Sequence, residues 1–556
     1  MYDDDYTKQL TGEYYPRMKK IDEIPFISVE EATPLVKTLV GMIDLLREEN
    51  QRLASNLQEF RDEIAILKGE KAKPKFKSSN MDKNTDKNEG DGNDQPQKRA
   101  GSAKRSKTAE LTIHESRVIP PVESAPLGSR FKGYRDVIIQ GMVIKAHNIR
   151  YRLECWQTPE GNLLTGELPE SLQGHHFDPV LRSYILYQHH HCHVTQPLLL
   201  EQLREWEIDI SAGQIDALLS AGHEAFHTEK NELLVTGLDV SSFITVDDSG
   251  ARHQGKNGYV TQIGNDLFAW FSSTESKSRI NFLEQLHAGS LTYVITKEAL
   301  TYMQDQGLNA TIRQQLSQQT SLEITSRKDW QNYLDSLEIR NERPVRIVTE
   351  GALLGGLMEK GLNPELAIIS DGAGQFAILL HALCWIHAER LVHKLIPVTD
   401  RQREAVALVR DQIWNLYADL KAYKAQPDPT RILEFESRFT TIFTQRTDYA
   451  TLDNILLRLH KHKDELLLIL HRPDIPLHTN GSETDIRDYV KKRKISGGTR
   501  SELGRQCRDT FASLKKTCRK NGISFWLYLR DRIAKINDIP PLSSIIREAS
   551  LFAALP

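Results

Sequence analysis

The sequence predicts a multidomain protein, in which an N-terminal coiled coil, a small β module and a helix-turn-helix precede an α/β core that a helical insertion interrupts. Three observations lead to this class. With 556 residues the chain is too long for one hydrophobic core, so three or more folded units are expected. Apolar residues near the N-terminus repeat every seven residues. Beyond residue 240, short apolar runs typical of strands alternate with helical patterns.

Composition favours a protein of the reducing cytoplasm. Hydrophobic residues make up 39% of the chain and the net charge is −3, so overall charge does not indicate a nucleic-acid partner. The five cysteines are scattered without a CxxC pair, which indicates neither a disulfide framework nor a cysteine zinc knuckle. The first residues lack the apolar core of a signal peptide, and no apolar run reaches the roughly 20 residues of a spanning helix. We therefore expect no membrane association.

Residues 34–68, after an N-terminal arm at 1–33, predict a leucine-zipper coiled coil. Apolar residues occupy both seam positions over five heptads, with Leu39, Leu46 and Leu53 among them and the polar Asn50 at an a position. A buried Asn is tolerated in a parallel dimer because it pairs with its counterpart and fixes the register. A homodimer or higher oligomer is the expected result. The alternative is an amphipathic helix that packs on its own domain.

Three segments follow the zipper. Residues 69–110 are polar and charged and indicate a disordered linker. Residues 111–170 alternate in places, at 137–144 and 149–155, and predict a small β-rich module. Residues 171–225 predict two helices across a tight break, the second capped by Ser211, and thus a DNA-binding helix-turn-helix or a plain helical hairpin. The histidine-rich run 189–193 is contiguous and would point around a helix, so a metal site there is not favoured.

The core is predicted in two parts, 235–387 and 471–500, around a helical insertion at 388–470 and before a basic helical region at 501–556. Strands are expected at 243–246, 258–263, 267–271 and 366–369, with an apolar helix after the last strand that carries Cys384, Trp385 and His387 near its end. The order of the elements within 290–365 stays open.

Three acids have the placement that phosphodiester chemistry requires. Asp247 and Asp371 each follow a strand, and Glu483 lies on a helix after the insertion. Adjacent strand ends would bring the two aspartates together, and carboxylates can hold the two hard cations, about 4 Å apart, that clamp attacking and leaving oxygens. Asp248 is the alternative first ligand. A plainer interpretation of Asp371 alone is a turn residue that caps the next helix.

A basic segment follows the third acid. Between Arg487 and Lys520 twelve Lys and Arg residues stand against three acids, a local net charge of about +9 that is typical of phosphate binding or of a solvated surface. The candidate DNA contacts are Arg487, Lys491, Lys492, Arg493, Lys494 and Arg500. Because residues four apart share a helix face, Glu483, Arg487 and Lys491 should line one side, unless Arg487 only pairs with Glu483.

Several motifs resemble the large transposase (transposase C type) of the IS66 insertion-sequence family. Val246-Asp-Asp-Ser is similar to that family's first-aspartate motif, and Cys384-Trp-Ile-His-Ala-Glu-Arg390 is similar to its Cys-Trp-Ala-His-Ala-Arg-Arg motif. Asn480-Gly-Ser-Glu483, followed by Arg487, a basic run and Gly497-Gly-Thr, resembles its final segment. The order of zipper, linker, β module and helix-turn-helix is the same.

The resemblance implies a bacterial DDE transposase with an RNase H-like core. It implies Mg²⁺, two ions per active site with Mn²⁺ as a substitute, held by Asp247, Asp371 and Glu483. Water and then a DNA 3′-hydroxyl would attack phosphodiesters in transposon ends and target duplex. The expected partners are double-stranded DNA and small accessory transposition proteins, and the expected location is the cytoplasm, at the nucleoid when DNA is bound. Cys384 and His387 would be a structural pair, and Trp385 a core residue or a base-stacking wedge.

The chain departs from the family pattern in three places. It lacks the cysteine-rich zinc element of the N-terminal half, its interval from Asp247 to Asp371 is longer than usual, and His478-Thr479 stands where the family tends to have Asp-Asn. Two other functions remain open. One is a catalytically silent DNA-binding protein derived from a transposase, which an altered acid triad would indicate. The other is a nuclease of the same fold without strand transfer.

Overall fold

A computed structural model describes residues 112–120, 129–318 and 322–553, together with Met42 as a single helical residue. Apart from Met42, the predicted coiled coil and linker at 34–110 lie outside these residues, so both stay predictions. The chain divides into two units, one of residues 75–150 with 203–209 and one of the remainder.

The smaller unit corrects the predicted β module. Its described residues at 112–120 and 129–150 contain neither helix nor strand, and the strand predicted at 137–144 is absent there. Ile139 and Val143 are 87% and 84% exposed. Alternating apolar residues form a strand only when a partner strand and a covering layer are present. In the larger unit a short hairpin follows, of β1 (Cys155–Gln157) and β2 (Leu163–Thr165).

The two helices predicted between 171 and 225 are present as the second and third of four; one further helix precedes them and another leads into the core. Asp178 caps the first, accepting a hydrogen bond from the Leu181 amide at 2.7 Å. Ser211 caps the third as predicted, in a reciprocal capping box with Gln214. The four helices are α1 (Pro179–His190), α2 (Gln196–Glu205), α3 (Ala212–Ser220) and α4 (Glu224–Val240).

A five-stranded mixed sheet forms the centre of the larger unit. Its strands are β3 (Phe243–Gly250), β4 (Tyr259–Gly264), β5 (Ala269–Thr274), β8 (Ala367–Ser370) and β9 (Leu380–Leu383). Their order in the sheet is β5-β4-β3-β8-β9, with β3 antiparallel to β4, β4 antiparallel to β5, and β8 parallel to both β3 and β9. The strands predicted around residues 243, 258, 267 and 366 are therefore confirmed in kind.

The prediction of an apolar helix directly after Asp371 is wrong. The chain makes a 3₁₀ turn at Gly374–Phe376, passes through Leu379 at a φ of 53° and then forms β9 beside β8. The helix begins only at Trp385, as α10 (Trp385–His393), with Cys384 as its N-cap. The four residues of β9 are too few to show a periodicity that separates a strand from a helix.

The segment between β5 and β8 is mainly helical. Ser278 caps its first helix by accepting a hydrogen bond from the Asn281 amide at 3.1 Å. A small two-stranded antiparallel sheet lies within the segment. Its elements are α5 (Arg279–Leu286), β6 (Tyr293–Val294), α6 (Lys297–Asp305), α7 (Ala310–Ser317), β7 (Glu323–Ile324), α8 (Arg327–Ser336) and α9 (Glu342–Glu359).

Residues 388–470, predicted as a helical insertion, are mainly helical. Trp385, Phe439 and Phe443 share this segment's buried core with residues of the central sheet, and the Trp385 indole donates to the Leu466 carbonyl at 2.8 Å. After α10 the helices are α11 (Asp400–Ala425), α12 (Ile432–Thr444), α13 (Ala450–His460) and α14 (Lys463–Leu466).

Four helices complete the fold: α15 (Asn480–Ser496), α16 (Glu502–Lys520), α17 (Phe525–Ala534) and α18 (Leu542–Ala553). Among the helices described, none is long and apolar enough to cross a membrane.

Helix α16 closes the outer edge of the sheet with a ridge of polar side chains. Asp509, Ser513 and Thr517 accept hydrogen bonds from alternate amides of β5, at 2.7, 2.9 and 3.2 Å. Four helical residues rise about 6 Å and two strand residues about 6.7 Å, so the two spacings match. The ridge thus satisfies backbone groups that an open edge strand would leave unpaired.

Candidate active site

Two of the three predicted acids lie on neighbouring strands. Strands β3 and β8 are parallel, and Thr245 pairs in register with Ile369. Asp247 and Asp371 each follow two residues later, so the structure places both at the same end of the sheet. The sequence predicted this pairing of the acids, but β3 continues past Asp247 to Gly250, where it still pairs with β4, so only Asp371 follows the end of its strand.

Helix α15 brings the third acid, Glu483, to the same end of the sheet. Ser482, which is buried, donates a hydrogen bond to the Thr245 hydroxyl, and that hydroxyl donates to the Gly264 carbonyl at 3.1 Å. Thr245 precedes Asp247 by two residues and therefore lies on the same face of β3. The first turn of α15, which carries Glu483, is thereby fixed to the strand of the first acid.

The pKa of Asp247 is raised by its burial and by the neighbouring carboxylates. Burial is the largest cause that raises the pKa of Asp247, to about 7, and the carboxylates of Asp371, Asp248 and Glu483 raise it further. A hydrogen bond from the Asp248 amide to Asp247 Oδ1, at 2.8 Å, opposes this rise. Mutual repulsion of this kind is relieved by a bound cation.

Asp248, the alternative ligand, is committed to other partners. Successive strand residues point to opposite faces, so its side chain lies across the sheet from that of Asp247. There it forms an ion pair with Lys277 and accepts a hydrogen bond from the side-chain amide of Gln375, Nε2, at 2.7 Å. Its side chain is 8% exposed. The geometry therefore favours Asp247 over Asp248 as the first acid.

Glu483 contacts two basic residues of α10, His387 and Arg390. Its Oε1 lies 3.4 Å from His387 Nε2 and 3.7 Å from Arg390 Nη2, while Arg390 Nη1 lies 3.1 Å from the same His387 nitrogen. Burial lowers the pKa of His387, and Arg390 lowers it further, against the carboxylates of Glu483 and Asp371. Arg390 was not among the predicted site residues. Its position three residues after His387, on one helix face, was the available signal.

The Cys384-Trp385 pair has a structural position. The Cys384 thiol is buried, which raises its pKa, and a side-chain hydrogen bond with Thr479 opposes that rise. The Trp385 amide donates to the Leu477 carbonyl at 3.0 Å. Together they join the start of α10 to the segment that leads into α15. Trp385 is 2% exposed, which favours the core interpretation over a base-stacking wedge.

The chemistry of the acids fits magnesium, although their present positions do not form a complete site. Within the described ranges, no group of three or more His, Cys, Asp or Glu side chains could hold a metal ion as it stands. Asp371 Oδ1 accepts a hydrogen bond from the Ala373 amide at 3.0 Å, and Glu483 is turned toward His387. All three acids offer the hard oxygen ligands that Mg²⁺ prefers.

The predicted DNA-contacting residues divide into exposed and buried side chains. Arg487, Lys491, Lys494 and Arg500 are exposed, whereas Arg493 is partly buried and lies 3.4 Å from the Ser249 hydroxyl. Among the residues that the structure describes, Glu483 pairs with His387 and Arg390 and forms no ion pair with Arg487.

For Lys492 the prediction of a DNA contact is wrong, because its side chain is buried. It is buried against the histidine-rich run, where its ammonium donates to the His189 carbonyl at 2.9 Å and lies 3.2 Å from His190 Nδ1. Burial lowers its pKa well below the usual range. A side chain enclosed in this way offers no surface to a phosphate. The histidine run thus packs on α15, and His193 contacts Asp488 at 3.4 Å.

Part of the chain matches a known protein family. Residues 368–507 match the family model described as Transposase IS66 family, so this part of the chain is a domain of the transposase class. The chain is also 43% identical over 317 residues to uncharacterized protein y4jO of Sinorhizobium fredii (strain NBRC 101917 / NGR234). The matched residues make up 56% of this chain and 99% of that protein. The chain belongs to the IS66 transposase family. No solved structure matches it.

Proposed function

We propose that the protein is a DDE transposase that cleaves DNA strands at the ends of an insertion sequence and transfers them to target DNA. The observation that carries this proposal is the convergence of Asp247, Asp371 and Glu483. Asp247 and Asp371 lie on adjacent parallel strands or directly after them, the helix of Glu483 is fixed to β3 by Ser482, and the charges of Asp371 and Glu483 both raise the pKa of Asp247.

The side chains have separate tasks in this mechanism. Asp247, Asp371 and Glu483 would hold two Mg²⁺ ions, or Mn²⁺, which when bound would stabilise the attacking and leaving oxygens of an in-line displacement. Arg390 and His387 hold Glu483 until it turns toward the other acids. The exposed cations Arg487, Lys491, Lys494 and Arg500 bind the phosphate backbone.

The other parts of the chain would serve DNA recognition and assembly. Helices α2 and α3 fit the predicted helix-turn-helix, which would read transposon ends. The predicted zipper around Asn50 would pair two copies, so that two ends are held together. Small accessory transposition proteins remain candidate partners, as the resemblance implies.

One observation favours a second candidate, a DNA-binding protein without turnover. In the part of the chain that the structure describes, three ligands do not stand together, and Glu483 is engaged by His387 and Arg390. A side-chain rotation of Glu483 would separate the active protein from the silent one. A nuclease without strand transfer has the same site and is distinguished by its products.

The test is cleavage of supercoiled plasmid DNA that carries the element's terminal sequences, with magnesium. Asp371→Asn and Glu483→Gln should retain DNA affinity and lose strand cleavage, because the amides are nearly isosteric but supply no charge to a cation. Asp266→Asn, an exposed acid in the β4–β5 turn, is the matched control and should cleave normally. Cleavage by both site variants at the wild-type rate would overturn the proposal. A wild-type protein that binds without cleaving would favour the silent candidate, and cleavage without joined products the nuclease.

A further inference from the structure

The turn between β3 and β4 is attached to the loop that follows helix α15. We call residues 251–258 the tip loop. The Gln254 amide donates to the Thr499 carbonyl at 2.8 Å, the Thr499 amide donates to the Arg252 carbonyl at 3.0 Å, and His253 Nδ1 lies 2.8 Å from the Thr499 hydroxyl. A Cβ added at Gly498 would lie 2.6 Å from the Arg252 carbonyl oxygen, so this close approach requires glycine. The tip loop is thus held in a defined position.

Positive charge converges at this junction. The tip loop carries Arg252 and Lys256, both exposed, and no acid. Besides the buried Lys492, residues 489–501 hold four further cations and likewise no acid. A groove of about 340 Å³ lies between the tip loop and the start of α16. Two acids line it, and one of them, Glu502, is neutralised by Arg505 at 2.7 Å.

Helix α15 connects the junction to the acids. It follows the sheet along its length, since Ser482 bonds Thr245 near its start, the Tyr489 ring stacks on Phe271 at 5.6 Å, and Arg493 reaches Ser249. From Glu483 to the end of α15 the rise is about 20 Å, at roughly 1.5 Å per residue.

The exposed cations of α15 lie along this path. Arg487, Lys491 and Lys494 recur at intervals of four and three residues, so they share one face of the helix. Arg500 and the tip loop continue the same series of charges beyond the helix end. Duplex DNA advances about 3.4 Å per base pair, so 20 Å corresponds to roughly six base pairs.

We propose that the tip loop is a second DNA-contact site, which grips the duplex backbone about six base pairs from the scissile phosphate. The inference rests on the proposed function, because it takes the acids as the place of the cut. A duplex is favoured over an acidic protein partner because the cations form one regular track that begins at the acids. Arg252 and Lys256 bind phosphates there and read no sequence.

The first experiment measures DNA affinity against salt for an Arg252→Ala, Lys256→Ala double variant of the full chain. Its slope of log affinity on log salt should be smaller than that of wild type by about two, with roughly ten-fold lower affinity per lost contact at about 0.1 M salt. The matched control, Lys328→Ala with Arg340→Ala, removes two exposed cations around α8 and should keep the wild-type slope.

The second experiment is a hydroxyl-radical footprint on a terminal-sequence duplex. Protection about six base pairs from the cut should disappear in the double variant and remain at the cut itself. Gly498→Ala, which displaces the tip loop without removing a charge, should weaken the same distal protection. An unchanged slope and footprint for the double variant would overturn the inference while leaving the proposed function intact. A wild-type protein that fails to bind terminal DNA would instead overturn the proposed function.

Discussion

Replacing the first acid should stabilise the cation-free protein while it abolishes activity. In the folded protein the pKa of Asp247 is raised from 3.8 to about 7, chiefly by burial and then by the neighbouring carboxylates. Asp247→Asn keeps the oxygen that accepts the Asp248 amide and removes the charge. The variant therefore loses the repulsion and retains the hydrogen bond.

The size of the effect follows from the pKa difference. A raised folded-state pKa contributes stability that is complete below the unfolded pKa, near 4, and is lost as pH rises through the folded pKa, near 7. Each unit of difference corresponds to about 1.4 kcal/mol, so the full penalty approaches about 4 kcal/mol at alkaline pH. Because Asp247 is partly exposed, we expect the advantage of the variant to grow by about 2–3 kcal/mol from pH 5 to pH 8.

Thermal unfolding without divalent cations at these two pH values measures this difference. At roughly 1 °C per kcal/mol for a unit of this size, the melting temperature of Asp247→Asn should gain about 2–4 °C more over wild type at pH 8 than at pH 5. Asp248→Asn is the matched control with the opposite sign, because it breaks the ion pair with Lys277. Magnesium should stabilise wild type and not Asp247→Asn. A variant that is destabilised at pH 8 would refute the reasoning.

Three further results are expected. A peptide of residues 30–70 should form a parallel dimer that Asn50→Leu makes more heat-stable and less defined in oligomer number, and sedimentation of a monomer at high concentration would contradict the zipper. Trp385→Phe should cost about 1–2 kcal/mol of unfolding free energy through the lost indole hydrogen bond yet leave DNA affinity unchanged, whereas a base-stacking wedge would show a loss of affinity. Ser513→Ala should lower stability by about 1–3 kcal/mol by leaving the Phe271 amide unpaired, and a neutral result in urea unfolding would show that water replaces the hydroxyl.

Local signals along the chain were enough to place the acids. Apolar runs that end in Asp247 and Asp371 are the elements that pair in parallel, and the basic helix with Glu483 begins where the pattern indicated. Ser211 caps its helix because the capping box is complete within four residues. Such features depend on neighbours in sequence, and for that reason sequence alone could predict them.

Contacts between distant segments were beyond prediction. Strand β9 was taken for helix because its four residues are too few to show a period. Lys492 was predicted to be a surface residue, but its ammonium group is buried and donates a hydrogen bond to the His189 carbonyl. The partner of Glu483 is Arg390, which lies 93 residues earlier in the chain. Each of these depends on tertiary packing, which no local pattern encodes.

The polar ridge of α16 has a consequence for truncated forms of the protein, because it must be present for β5 to be covered. The family match ends at Cys507, two residues before Asp509, the first residue that accepts a hydrogen bond from β5. A truncated protein that keeps the sheet but stops there would present the amides of β5 to solvent, as a template for pairing with other molecules. We therefore expect such a fragment to aggregate during expression, and one that extends through Lys520 to remain soluble.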